Sequence, residues 1–341
     1  MVFSRRSVLR TSARLVGLGA AAGLALLDGC QLLSPPAPTP AAMRRIGFLY
    51  LGIRSVLQPY MDAFRDRLHQ LSWVEGDNLA IEWRFADGNA QRLPELAAEL
   101  VQLPVEVIVA VGVPAVLPAE QQTSTIPIVG VHFDAVEYGL AKSYSRPGGN
   151  VTGITYGDDT ISTKRVELLK TVLPQLSRLA ILANPTLAAY TMQMTPAART
   201  AQSLAIQVLD LDVRRVEDVD SAFAAAHEWG AEGLLVLGDA DYTAGVNARV
   251  AELAAQTRVP VIGANYAVPD NGLLMSFSPN FQADYRQGAE YVDKMLRGAS
   301  PADLPIQEPR EWEFIINVQA AKALGLTIPP DAAAQVTQWV Q

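Results

Sequence analysis

The chain has 341 residues, a formal net charge of −8, a hydrophobic fraction of one half and a single cysteine. That length and apolar content suit two ordinary globular domains rather than a disordered or fibrous chain. An acidic balance without a basic cluster argues against nucleic acid, because phosphate binding needs concentrated Lys and Arg. One cysteine excludes an internal disulfide.

Ser4-Arg5-Arg6-Ser7-Val8-Leu9-Arg10 carries positive charge and a twin-arginine pair, and an apolar, small-residue run follows over residues 15–27. That pattern is a secretory signal rather than a spanning helix, and the paired arginines point to the export route for folded proteins. Cys30 stands where the apolar run ends. Leu27-Asp28-Gly29-Cys30 resembles a bacterial lipobox, in which the cysteine is acylated, with Asp28 as its one departure. Ordinary cleavage leaving a free thiol is the competing reading. Residues 30–43 are rich in proline and alanine and serve as a semi-rigid spacer. Residues 1–29 hold four arginines and one aspartate, so without them the charge falls from −8 by three, to −11. No later apolar stretch is long enough to span a bilayer.

From Arg44 onward short apolar runs alternate with helical stretches, the sign of an α/β fold with parallel sheets. Strands are predicted over 46–51, 79–85, 105–111 and 126–132. Helices are predicted between them over 59–71, 93–103 and 114–122. The plan then repeats, with strands over 178–183, 206–213, 233–237 and 259–263 and helices over 197–205, 219–229 and 246–256. Even the early proline of the fourth strand recurs, as Pro127 and Pro260. Two α/β lobes of equal plan imply two sheets whose carboxyl strand ends line a shared ligand cleft. Two lobes without a common cleft are the alternative.

The candidate ligand residues are those at strand ends. Gly112-Val113-Pro114-Ala115 combines a tight turn with a helix start whose free N–H groups suit an anion. Gly52, Ile53 and Arg54 follow the first strand, with Arg54 offering a guanidinium. Phe133 and Asp134 follow the fourth strand, and Asp134 suits an ammonium or hydroxyl. In the second half Asn184, Thr186 and Tyr190 follow the first strand, Asp239, Asp241 and Tyr242 the third, and Asn265 and Tyr266 the fourth. Tyrosines there suit stacking on a planar solute. Each of these residues could equally serve the turn that it occupies. The three histidines, His69, His132 and His227, lack metal-ligand spacing, although His132 borders the expected cleft. Neither a Gly-x-Ser-x-Gly elbow nor a Walker sequence occurs, so no enzyme, metal or cofactor is expected.

Several longer runs carry a family resemblance. They are Thr125-Ile126-Pro127-Ile128-Val129, Ser145-Arg146-Pro147-Gly148-Gly149-Asn150-Val151-Thr152-Gly153-Ile154 and Lys164-Arg165-Val166-Glu167-Leu168-Leu169. Further on stand Tyr291-Val292-Asp293-Lys294-Met295-Leu296-Arg297-Gly298, Ala302-Asp303-Leu304-Pro305 and Ala320-Ala321-Lys322-Ala323-Leu324-Gly325-Leu326-Thr327-Ile328-Pro329-Pro330. Over residues 44–330 the chain resembles the ABC transporter substrate-binding family that includes tryptophan and aromatic amino-acid binding lipoproteins. The resemblance implies a type I periplasmic binding fold: two Rossmann-like lobes joined by three crossovers, without catalytic activity or cofactor. It implies a monomer that hands a small molecule to an ABC permease and its ATPase, held at the membrane by a lipid anchor. A sensor reporting to a membrane receptor is the alternative. Phe133-Asp134-Ala135-Val136 departs from the family's turn, so the ligand is left open among amino acids, aromatics and carboxylates. The expected division is 44–155 plus 278–309 for the first lobe and 159–275 plus 310–341 for the second. Crossovers are expected near Thr155, Ser276 and Arg310.

Overall fold

The computed structural model describes residues 43–186, 190–237, 244–263 and 273–341. The predicted signal, Cys30 and nearly all of the spacer lie outside them. In the first half the chain runs β1 (Arg44–Tyr50), α1 (Arg54–Gln70), β2 (Leu79–Phe85), α2 (Leu93–Gln102), β3 (Val107–Val111), α3 (Val113–Gln122), β4 (Ile128–Val131) and β5 (Val151–Ile154). The five strands form one parallel sheet in the order β2-β1-β3-β4-β5. Strand β3 is buried on both faces, which its run of β-branched residues and alanine permits.

The second half continues with α4 (Asp158–Val172), β6 (Arg178–Ala183), α5 (Tyr190–Ser203), β7 (Gln207–Asp212), α6 (Val219–Trp229), β8 (Gly233–Val236), α7 (Ala244–Thr257) and β9 (Val261–Gly263). Then come β10 (Met275–Pro279), α8 (Phe281–Leu296), β11 (Trp312–Asn317), α9 (Val318–Ala323), α10 (Pro330–Ala333) and β12 (Gln338–Val340). The second sheet has the order β12-β11-β10-β9-β8-β6-β7. Its β10–β11 pair is antiparallel and the others are parallel. The alternation in the sequence therefore gives two α/β layers, as expected. The antiparallel strand β11 follows no sequence repeat.

Three connections pass between the sheets. The first is Thr155-Tyr156-Gly157, from β5 into α4, whose Val166, Leu169 and Val172 are buried in the second core. The second follows β10, because α8 returns to the first sheet and packs Tyr285, Ala289 and Val292 against Phe48, Phe64 and Ile154. The third precedes β11. Thr155 and Arg310 lie on the first and third connections. Ser276, expected at the second, lies inside β10, where residues 275–279 pair with β11 and are buried throughout. The chain leaves the second sheet at Pro279–Asn280. Backbone bonds tie the connections together: Thr155 N donates to Gln307 O (2.9 Å) and Asn280 N donates to Glu311 O (2.9 Å).

The β4–β5 pairing demands glycine at one position. Gly153 faces Gly130 with φ 143°, and a Cβ there would stand 1.9 Å from the Gly130 carbonyl oxygen. Gly130 is equally constrained, since its own Cβ would meet the Phe133 ring at 2.3 Å. Gly153→Ala is therefore expected to destabilise the protein by at least roughly 3 kcal/mol, measured by urea denaturation. A loss below ~1 kcal/mol would show that the pairing can open without consequence.

Candidate functional site

The carboxyl ends of the first sheet's strands meet the crossovers at a cluster of rings. Strand β4 extends into His132, whose N–H donates to Ile154 O (2.9 Å) and whose φ is 59°. A left-handed backbone is uncommon outside glycine, and here it reverses the alternation of the strand. Val129 and Val131 face the core that α8 covers, so strict alternation would send Phe133 to the same side. Instead the His132 ring turns toward α8, and Phe133 enters the core on the opposite face.

His132 is surrounded by aromatic side chains from two of the three connections and from α8. Its ring centroid lies 4.8 Å from Phe281 at the start of α8, 5.7 Å from Tyr156 on the first connection and 5.9 Å from Tyr285. Tyr156 and Phe281 stack at 6.4 Å, and Tyr60 of α1 stacks on Tyr285 at 5.3 Å. Burial raises the Tyr60 hydroxyl pKa, and nearby Tyr50 and the charge of Glu313 on β11 add to it. The ring cluster thus reaches from the first lobe to the edge of the second. Phe277 and Trp312 stack at 5.4 Å on the β10–β11 pair.

Beneath the rings lies one buried acid. Asp284 is fully buried, and its Oδ2 lies 2.8 Å from His132 Nε2. Its Oδ1 has no hydrogen-bond partner. Burial pushes the Asp284 carboxyl above its ordinary range and Glu311 adds to that, while the bond and charge of His132 pull it down. A buried carboxylate left half-satisfied is costly, so the pair with His132 is the interaction that makes it tolerable.

The predicted residues fall into three groups. Gly112, with φ 76°, turns β3 into α3, and Val113 and Pro114 form the half-buried helix start beside the ring cluster's strand ends. Gly52 is partly buried, while Ile53 and Arg54 are exposed at the α1 start, the Arg54 guanidinium lying 5.5 Å from the Phe85 ring centroid. The second group serves its own turns or the core. Ala115 and Phe133 are fully buried, so neither lines a surface. Asp134 Oδ1 accepts from the Val136 and Glu137 N–H groups (3.0 and 2.9 Å), and its Oδ2 accepts from the Tyr144 hydroxyl (2.7 Å). Asn184 closes a similar turn onto Thr186 N and Oγ1, and Tyr190 donates to Asp210 on the edge strand β7. Asp239, Asp241, Tyr242, Asn265 and Tyr266 lie outside the described residues. The strand-end rule missed Tyr60, Tyr156, Phe281 and Asp284, which come from helices and connections. Among the described residues no group of His, Cys, Asp or Glu could hold a metal ion, and no helix is long and apolar enough to cross a membrane.

Comparison with known proteins gives this architecture its context. Residues 55–340 match the family model described as ABC transporter substrate binding protein. The chain belongs to that family. A tyrosine-binding protein of Clostridioides difficile is 24% identical over 328 residues, covering 96% of this chain and 94% of that one. A conserved domain protein from Vibrio cholerae is 27% identical, with a TM-score of 0.78 over 87% of this chain and 99% of its own. A Streptococcus ABC domain solved in complex with L-Trp is 21% identical, with a TM-score of 0.79 over 88% and 100%. The fold is that of the type I periplasmic binding proteins. The family is one of binding and transport proteins rather than enzymes.

The raised Asp284 pKa carries a pH signature for this substrate-binding protein. A raised carboxyl pKa means that the native state holds the proton more tightly than the unfolded chain does. That contribution is full at acid pH and is lost as pH rises through the interval between the unfolded and folded values. Asp284→Asn removes it, so the variant's stability relative to the parent is expected to improve from pH 4 to pH 7. Urea unfolding at the two pH values checks this; a difference independent of pH would contradict it.

Proposed function

We propose that this chain is the exported solute-binding component of an ABC importer, and that its solute is an amino acid with an aromatic side chain. The observation that carries this reading is the ring cluster of Tyr60, His132, Tyr156 and Phe281 at the strand ends and crossovers. Clefts that hold planar solutes combine aromatic walls with a few fixed polar groups. The tyrosine-binding relative and the L-Trp complex of a neighbour support the same ligand class.

Capture would proceed by closure of the two lobes about the three connections. The α3 start would offer the Val113 N–H to the solute carboxylate. From the second lobe, Asp239, Asp241, Tyr242, Asn265 and Tyr266 remain the proposed contacts. Residues 1–29 would direct export, with acylated Cys30 and the following spacer holding the body near the membrane and its permease.

Isothermal titration with L-tyrosine and L-tryptophan tests the ligand. At a ligand concentration about a hundred times Kd, binding should add ~2.7 kcal/mol to stability. Tyr60→Ala and Tyr156→Ala should each weaken binding about tenfold, the scale of a lost aromatic contact with its buried area. Absence of heat with either amino acid would remove the ligand assignment. For the anchor, Cys30→Ala should abolish labelling by radioactive palmitate in cells, and retained label would remove the lipoprotein assignment.

A further inference from the structure

His132 presents its ring beside Asp284 at the end of β4. Its backbone is held at φ 59°, and its side chain is 14% exposed in spite of the rings around it. Phe281, Tyr156 and Tyr285 cover the ring's surroundings, and Asp284 takes the Nε2 edge. Nδ1 makes no hydrogen bond to any described residue, whereas Nε2 has a buried carboxylate at 2.8 Å.

With Asp284 ionised, the neutral ring must donate from Nε2, which leaves a lone pair on Nδ1. We infer that Nδ1 of His132 is a hydrogen-bond acceptor for the captured solute, taking an N–H such as an amino acid's ammonium, and that Asp284 is the positioning residue that keeps Nδ1 unprotonated. This rests on the solute-binding reading above. The local charge suits an ammonium. Glu311 on the third connection raises the cost of ionising Asp284, and Glu313 on β11 lies within electrostatic reach of Tyr60. The other titratable groups facing the pair are the hydroxyls of Tyr285, Tyr156, Tyr60 and Tyr50, which stay neutral below pH 8.

The arrangement is proton-sensitive in one direction. A proton gained by the ring turns Nδ1 into a donor. A proton gained by Asp284 lets the acid donate to Nε2, which moves the ring proton to Nδ1 and has the same effect. Solute capture is therefore strong when Asp284 is ionised and the ring neutral, and weakened on acidification.

The test is the Kd of L-tyrosine and L-tryptophan from pH 5 to pH 8, for the parent, His132→Gln and Asp284→Asn. Indole-3-propionate serves as a probe that lacks the ammonium. Parent binding is expected to fall with acid, both variants to bind at least tenfold more weakly at pH 8 with flattened profiles, and indole-3-propionate to lose less affinity to His132→Gln than the two amino acids lose. Histidine 15N resonances of the ligand-free protein should give His132 a protonated Nε2 and an unprotonated Nδ1 at pH 8, independent of any solute and of variant folding. A flat parent profile, undiminished binding by His132→Gln, or a proton on Nδ1 at pH 8 overturns this role and leaves the transport reading standing. Failure of both amino acids to bind the parent at every pH removes the ligand reading and this inference together.

Discussion

Helix α8 carries an apolar face that the first sheet covers, yet the strand that feeds it, β10, is hydrogen-bonded into the second sheet. Both demands are strong. Tyr285, Ala289, Tyr291 and Val292 are buried almost completely on one side, and β10 is buried along its whole length on the other. The chain must therefore cross between the lobes at Pro279–Asn280. Asn280 makes that crossing stable, capping α8 through Ala283 N (2.9 Å) while its amide donates to Glu313 of β11 (2.9 Å). Nearly everything distinctive about the site follows from this exchange of elements.

The crossing brings Phe281 and Asp284, the first residues of α8, up to the end of β4. There the left-handed His132 presents its ring, and Tyr156 arrives from the neighbouring connection. A single buried acid, one imidazole and four further aromatic rings are thereby gathered from four separate stretches of chain. Backbone bonds, Thr155 to Gln307 and Asn280 to Glu311, hold the three connections as a unit.

The two α/β halves were legible because burial of parallel strands on both faces imposes continuous apolar runs, as in Val107–Val111 and Gly233–Val236. Strand ends were legible for a related reason, since Gly112 must supply a positive φ where β3 turns into α3. Two of the side chains expected at those ends have other partners in the structure. Phe133 looked like a cleft residue because it follows a strand, but the backbone at His132 reverses the alternation and buries it over Gly130. Asp134 looked like a receptor for an ammonium, and the structure commits both its oxygens to Val136, Glu137 and Tyr144. Short polar side chains after strands satisfy turns as readily as they satisfy ligands, and only geometry separates the two.

By itself the sequence determined the duplicated α/β plan, because that plan depends on local composition and periodicity. Tertiary structure alone decided that Asp284 stands behind His132, 152 positions away in the chain, and that Tyr60, Tyr156 and Phe281 share one floor. No local pattern marks such partners. They meet because β10 and α8 satisfy different sheets, and that requirement is set by long-range burial rather than by any residue's neighbours.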